Sequence, residues 1–141
     1  METYFKIFPK HCNHQPYNEN GNVIFGGEAF SQMDALAASL CKKTLFRSET
    51  ADYAVTWKYD GTFHRPVGCG DLIRFEATLV SLRGRGVFKE HIDDNAGLNG
   101  KTLEIKVQGF LQTPEGEKFF SEGHFCFVSK KGSKYQEHNL K

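Results

Sequence analysis

The sequence predicts an α+β fold in which an antiparallel sheet wraps one long helix, and three observations carry that expectation. One stretch, entered through Gly26-Gly27 and ending near Cys41, has helical periodicity: Phe30, Met33, Ala37, Leu40 and Cys41 recur at about 3.6 residues, with Ala29 and Leu36 alongside. After it come long runs rich in β-branched and aromatic residues that alternate apolar with polar. Turn formers separate these runs, and no second helical pattern lies between them.

Taken in order, Tyr4 to Phe8 alternates and reads as a short strand stopped by Pro9. The loop from Gln15 to Asn22 leads into the helix, whose last turn carries Lys42 and Lys43, where a helix C-terminus favours cations. Tyr53 to Phe63 is the next strand, with Asp60-Gly61 expected to mark a bulge or bend and Thr56 facing away from Trp57. FHRPVGCGD then turns the chain, since Pro66 belongs at an edge or in a turn. Leu72 to Leu82 and Leu103 to Gln112 are strands, joined by a polar stretch from Arg83 to Gly100 that reads as a solvated hairpin. TPEGE at 113–117 is a turn before a last strand, Lys118 to Val128. Residues 1–141 are expected to form a single domain, with 129–141 a loose polar tail.

Composition excludes several function classes. Eighteen basic residues face 17 acidic ones, which argues against nucleic-acid binding through a broad basic surface. Mean hydropathy is −0.50, and no apolar run approaches the ~18 residues of a membrane span. The N-terminus, METYFKIFPKHC, lacks the apolar core of a signal peptide. Cys12, Cys41, Cys69 and Cys126 are scattered without a CxxC pair, so reduced thiols in a cytoplasmic protein are the expectation. His11, Cys12 and His14 lie close in HCNH, but nothing elsewhere has matching ligand spacing, and no metal site is expected.

Asp34 is the chemically interesting residue of the helix. It lies at the edge of the apolar stripe, and no Lys or Arg three or four residues away accounts for it as an ion pair. One reading is a half-solvated surface carboxylate. The other is a general base in a partly dry cleft, supported by Gly26-Gly27, whose freed amides at a helix start can receive an oxyanion. Gly27 and Asp34 share a face about 10 Å apart along the axis. That is too far for both to act on one carbonyl, which needs contacts near ~3 Å, so amides and base would have to come from two copies of the chain.

Three segments together, NENGNVIFGGEAFSQMD, AVT and FHRPVGCGD, resemble the acyl-CoA thioesterases of the hotdog-fold superfamily, in particular the small single-domain bacterial acyl-CoA hydrolases. The resemblance covers about Asn18 to Val128. It implies a hotdog fold and dimers joined edge to edge, or tetramers of dimers, with active sites at the interface. By that resemblance Asp34 is the base or nucleophile, Asn18 orients water or substrate, the amides of Gly26 and Gly27 bind the thioester oxygen, and Thr56 assists the carboxylate. The Asn and glycines would come from one subunit, the carboxylate and hydroxyl from the other.

GKTL at 100–103 resembles the start of the family's fourth strand, where Lys101 with Thr102 can meet the phosphates of CoA; Arg65 and Lys130 are further candidates for that contact. His64 beside Arg65 can line the same channel or belong to a surface turn. CoA is part of the substrate, so no cofactor is expected. Between Gly21 and Phe25 the chain has one residue more than the family pattern, which makes Asn20 and Asn13 alternatives to Asn18. The 83–100 segment is also longer than the family's tight hairpin. A hotdog dehydratase would need a His paired with Asp or Glu in the pocket, and the absence of His from the helix motif counts against it. A non-catalytic acyl-CoA-binding module would keep the channel without needing Asp34, and it is the alternative reading.

Overall fold

The computed structural model describes residues 1–14, 22–24, 26–45, 53–82 and 102–130. Seven strands and one α-helix are arranged as β1 (Glu2–Lys6), β2 (Cys12–His14), β3 (Asn22–Ile24), α1 (Gly26–Leu45), β4 (Tyr53–Phe63), β5 (Leu72–Leu82), β6 (Thr102–Thr113) and β7 (Gly116–Lys130). Five of the strands make an antiparallel sheet in the order β1-β5-β6-β7-β4, and β2 and β3 form a separate pair. The helix lies across one face of the large sheet and touches all five of its strands. This is the helix-wrapping sheet of the hotdog fold.

The helix buries the stripe read from its periodicity. Ala29, Met33, Leu36, Ala37 and Cys41 are buried, and Phe30 and Leu40 pack partly buried beside them. The sheet answers with alternate residues, Ile73, Phe75 and Ala77 on β5, Leu103, Ile105 and Val107 on β6, and Phe125 and Phe127 on β7. Each fully buried side chain of this size contributes about 1.5–3 kcal/mol, so this one face carries most of the hydrophobic stabilisation. Among the described residues no helix is long and apolar enough to cross a membrane.

Several element boundaries differ from the sequence expectation, most clearly at the two ends of the chain. The first strand ends at Lys6, because Ile7 turns its backbone to the 68–71 connection: its N–H donates to Asp71 O and its carbonyl accepts from Gly70, both at 2.9 Å. A 3-10 turn, Pro9–His11, follows, in which His11 Nδ1 accepts the Phe8 amide at 3.0 Å. The last strand runs two residues beyond Val128, since Tyr53 and Ala54 of β4 supply ladder partners for Lys130 and Ser129. The expected loose tail therefore begins no earlier than residue 131, and 131–141 lie outside the described residues, as does the 83–100 segment.

The irregularity in β4 is at Trp57, between Thr56 and Lys58, and not at Asp60-Gly61, which pair regularly with His124 and Gly123. Thr56 turns to α1, while the Trp57 indole donates to Cys126 Sγ at 3.0 Å, next to the helix-facing Phe125. Burial pushes the Cys126 thiol up to about 11, and Cys41 likewise, which keeps both protonated and inert at neutral pH.

Arg74 on β5 ties three strands together. It makes a bidentate pair with Glu117 of β7 (2.7 and 3.0 Å) and single bonds to Glu76 (2.9 Å) and to Glu2 of β1 (3.2 Å). The hydrogen bonds from Arg74, with a second from Gln112, lower the Glu117 carboxyl from 4.5 to about 2. A carboxyl depressed in the folded state stabilises fully above its unfolded pKa and loses that contribution as pH falls through the folded one. Wild-type protein is thus expected to lose part of its stability between about pH 4.5 and 2 that Glu117→Gln does not lose. Urea midpoints of both proteins across that window check it; parallel curves would assign the acid sensitivity elsewhere.

Candidate functional site

Two parts of α1 that carry candidate residues, its N-terminus and its second to third turn, meet β4 through Phe63 and Thr56. At one end the helix opens with Gly26 and Gly27, both exposed. The first amides of an α-helix have no intrahelical acceptor, and they carry the positive end of its dipole. A Cβ on Gly26 would come to 3.4 Å from the Phe63 ring, whereas one on Gly27 would meet nothing within 4 Å. Gly27 therefore faces open space, where a ligand oxygen has room to approach its N–H.

Two turns along, Asp34 is half-buried, and its Oδ1 accepts a hydrogen bond of 2.8 Å from Thr56 Oγ1. The bulge immediately after Thr56 follows this contact in the strand. Among the described residues Asp34 has no cation within ion-pair distance. Among the described residues this hydroxyl is the one hydrogen-bond donor to the carboxylate, and it reaches Oδ1 and not Oδ2, the oxygen a proton would go to. Eight helical positions separate Gly26 from Asp34, about 12 Å of axial rise, so one chain does not bring its own amides and carboxylate to a common atom.

A cavity of about 430 Å³ opens at the glycine end. Gly26 and Ala29 line it from the helix, Phe63 and the connection from His64 to Val67 from the end of β4 onward, and Phe120 and Ile24 complete the lining. Phe63 and Phe120 stack at 5.6 Å, and the amide of Ile24 donates to Val67 O at 2.9 Å, which pins β3 to the connection. The glycines and aspartate of FHRPVGCGD hold that connection rigid. Asp71 Oδ2 accepts the Gly68 amide at 2.8 Å, Asp71 N donates back to Gly68 O at 3.0 Å, and Gly70 has φ +92°, a conformation suited to glycine.

Arg65 is exposed, and its Nε donates to Phe119 O at 2.8 Å, which anchors the side chain. His64 is held by its backbone bond to Phe120 O and by Thr62 Oγ1 at 2.9 Å from Nε2, and its ring packs on Phe119. Both residues line the cavity. Thr102, the first residue of β6, pairs with Val128, whose other neighbour is Val55. Thr102 is therefore at the Asp34–Thr56 end of the sheet, away from Arg65. Asn18, Asn20 and Lys101 lie outside the described residues, as do the side chains of Asn13 and Lys130.

The structure thus brings together Asp34 with Thr56, and Gly26 with Arg65, as two separate groupings. The apolar lining of the cavity had no distinct signal in the sequence, because Ala29, Val67, Phe63 and Phe120 cannot be told by local pattern from ordinary core residues. Among the described residues no cluster of three or more His, Cys, Asp or Glu gathers in metal-binding geometry.

Comparisons with known proteins agree with this architecture. An acyl-CoA hydrolase from Staphylococcus aureus, solved with butyryl coenzyme A and coenzyme A, superposes with a TM-score of 0.66 at 20% identity, covering 92% of this chain and 64% of that one. A hexameric thioesterase from Yersinia pestis matches with a TM-score of 0.64 at 22% identity, over 93% of this chain and 87% of its own. An acyl-CoA hydrolase from Bacillus cereus matches at 0.64 and 19% identity, over 91% and 63%. The chain thus spans a little under two thirds of the two hydrolases' lengths. A search of curated protein sequences finds no significant match. The family model for the thioesterase superfamily matches residues 21–91, half of the chain, and takes in the helix, β4 and the FHRPVGCGD connection. With a sheet wrapped around a glycine-opened helix and that match over the segments that build the site, the chain belongs to the thioesterase superfamily.

Proposed function

We propose that the protein is an acyl-CoA thioesterase that works as a homodimer, or as a tetramer of dimers, with Asp34 as its base. The observation that carries this reading is the 2.8 Å hydrogen bond from Thr56 to Asp34 on the seam between helix and sheet: a half-buried carboxylate, oriented by a hydroxyl and, among the described residues, unneutralised by a cation. In the reaction, the carboxylate takes a proton from water as the water oxygen bonds to the thioester carbon. The amides of Gly26 and Gly27 from the other protomer meet the charge that develops on the carbonyl oxygen. Collapse of the tetrahedral intermediate breaks the carbon–sulfur bond and releases CoA as a thiolate, a good leaving group that needs no nucleophilic Ser or Cys. Direct attack by Asp34 to give an anhydride, then hydrolysed, uses the same groups.

The dimer reading rests on the separation of the two half-sites and on β4, which has β7 as its neighbour in the sheet and lies at the end of the strand order. Arg65 and Thr102 fit it too, because one protomer's cavity end meets its partner's carboxylate end. Arg65, Thr102, Lys101 and Lys130 are the candidates to contact the CoA moiety, and Asn18 the one to orient water. The S. aureus hydrolase has been solved with single alanine replacements of an aspartate, a threonine and an asparagine, the residue types of Asp34, Thr56 and Asn18 here. Neither a nucleic acid nor a membrane enters this function, and no metal or cofactor is needed. The test is a panel of acyl-CoA thioesters with detection of the free thiol. Release from at least one of them supports hydrolysis, and saturable binding of acyl-CoA with no release from any would make the protein a binding module.

A further inference from the structure

Three contacts follow one another along the seam of α1 and β4. Asp34 meets Thr56. One helical turn before it, Phe30 meets Tyr59 edge-on, with ring centroids 4.6 Å apart and planes at 74°. One turn earlier again, Gly26 faces Phe63. The middle contact lies between the carboxylate and the glycine amides, and the hydrolytic chemistry above makes no use of it.

The Tyr59 ring also packs on Phe125, at 4.9 Å, and lies over two glycines, Gly61 and Gly123, which are direct cross-strand partners. Opposed glycines inside a ladder weaken it, because they lose more backbone entropy and leave nothing to pack. Neither has a positive φ, so backbone conformation does not call for them. Space does. A Cβ on Gly61 would collide with the Tyr59 phenol and come to 2.9 Å from Glu122 O. One on Gly123 would lie 3.0 Å from both Met33 Cε and Phe125 Cε2 and 3.1 Å from Tyr59 Cε2. The glycine pair hollows a trough in the helix-facing side of the sheet, and a tyrosine fills it. Tyr59 is nevertheless 36% exposed, and its hydroxyl makes no hydrogen bond among the described residues. Among the described residues the ring is packed but has no polar anchor.

We infer that Tyr59 is the stop that sets how long an acyl chain the site accepts. The inference rests on the thioesterase reading and extends it to the substrate class. A carbonyl attacked with the help of Asp34 lies beside that carboxylate, and the apolar groups next along the seam are those of the trough, where Met33 faces Gly123 and Phe30 packs on Tyr59. The Phe30–Tyr59 contact is one turn from Asp34, about 5–6 Å, which an extended tail of about four carbons spans. Tyr59 thus selects short acyl chains, and removing its ring opens the trough to longer ones.

The experiment measures kcat/KM for straight-chain acyl-CoAs from acetyl to dodecanoyl with wild type, Tyr59→Phe, Tyr59→Leu and Tyr59→Ala. Wild type and Tyr59→Phe are expected to share a cut-off at short chains. In Tyr59→Ala the cut-off moves to longer chains, with a gain of about fourfold for each methylene newly accommodated, and Tyr59→Leu moves it part of the way. A general loss of stability lowers every rate together and leaves the cut-off in place. An unchanged cut-off in Tyr59→Ala, or in Tyr59→Leu should the alanine variant not fold, overturns the inference while the thioesterase reading stands. A wild type that cleaves no acyl-CoA overturns that reading, and this inference with it.

Discussion

Asp34→Asn is expected to turn over the best acyl-CoA substrate at least about a hundredfold more slowly than the wild type, with substrate binding retained. The asparagine has the same shape, and its Oδ1 still accepts the bond that Thr56 donates at 2.8 Å. What it lacks is the ability to take a proton or to attack, so the loss belongs in kcat rather than KM. Thr56→Ala keeps the base and removes one hydrogen bond of about 1 kcal/mol, so it should cost only about five- to tenfold. Steady-state thiol release with each variant, alongside thermal unfolding to show that both are folded, gives the comparison. Wild-type turnover by Asp34→Asn would refute the assignment of Asp34.

A mixed dimer should recover activity that neither of its parents has. Gly27→Val is well suited as the second lesion: a side chain at Gly27 meets nothing in the fold within 4 Å, yet it stands where a substrate oxygen must approach the amides. If each site takes its glycines from one protomer and Asp34 from the other, an Asp34→Asn/Gly27→Val heterodimer has one site with both lesions and one with neither. Each homodimer would be nearly inactive, while the purified heterodimer would work at about half the wild-type rate per dimer, a recovery on the order of fiftyfold. If both groups came from the same chain, each site of the heterodimer would carry one lesion, and no activity would return. That second outcome would end the shared-site reading without touching the assignment of Asp34.

How much of this was legible beforehand varies with the element. Tyr53–Phe63 and Leu72–Leu82 begin and end where the alternation of the sequence does, because buried strands must alternate to serve one core face. The first and last strands differ at their ends. There the limits are set by which partner backbone is in reach, Asp71 and Gly70 for Ile7, Tyr53 and Ala54 for the end of β7. Asp60-Gly61 looked like a bend because glycine usually weakens a strand. In the structure Gly61 serves to admit the Tyr59 ring, a requirement that comes from the facing helix.

The sequence by itself determined the central helix, its apolar stripe, the glycine opening and the oddly placed carboxylate, since all of these are fixed by spacing along a single element. Helical rise alone also showed that Gly27 and Asp34 cannot serve one carbonyl within one chain. The pairing of Thr56 with Asp34 was implied by the family resemblance and not by local pattern, and only the tertiary structure gave their contact; it alone decided that Arg65 and Thr102 lie at opposite ends of the sheet, and that Gly61 and Gly123 face each other beneath Tyr59. Such relations depend on strand register, and a shift of one residue would turn every side chain of a strand to the other face. Register is settled by packing between segments far apart in the chain, here β4 against β7 and α1, which is why local pattern does not reveal it.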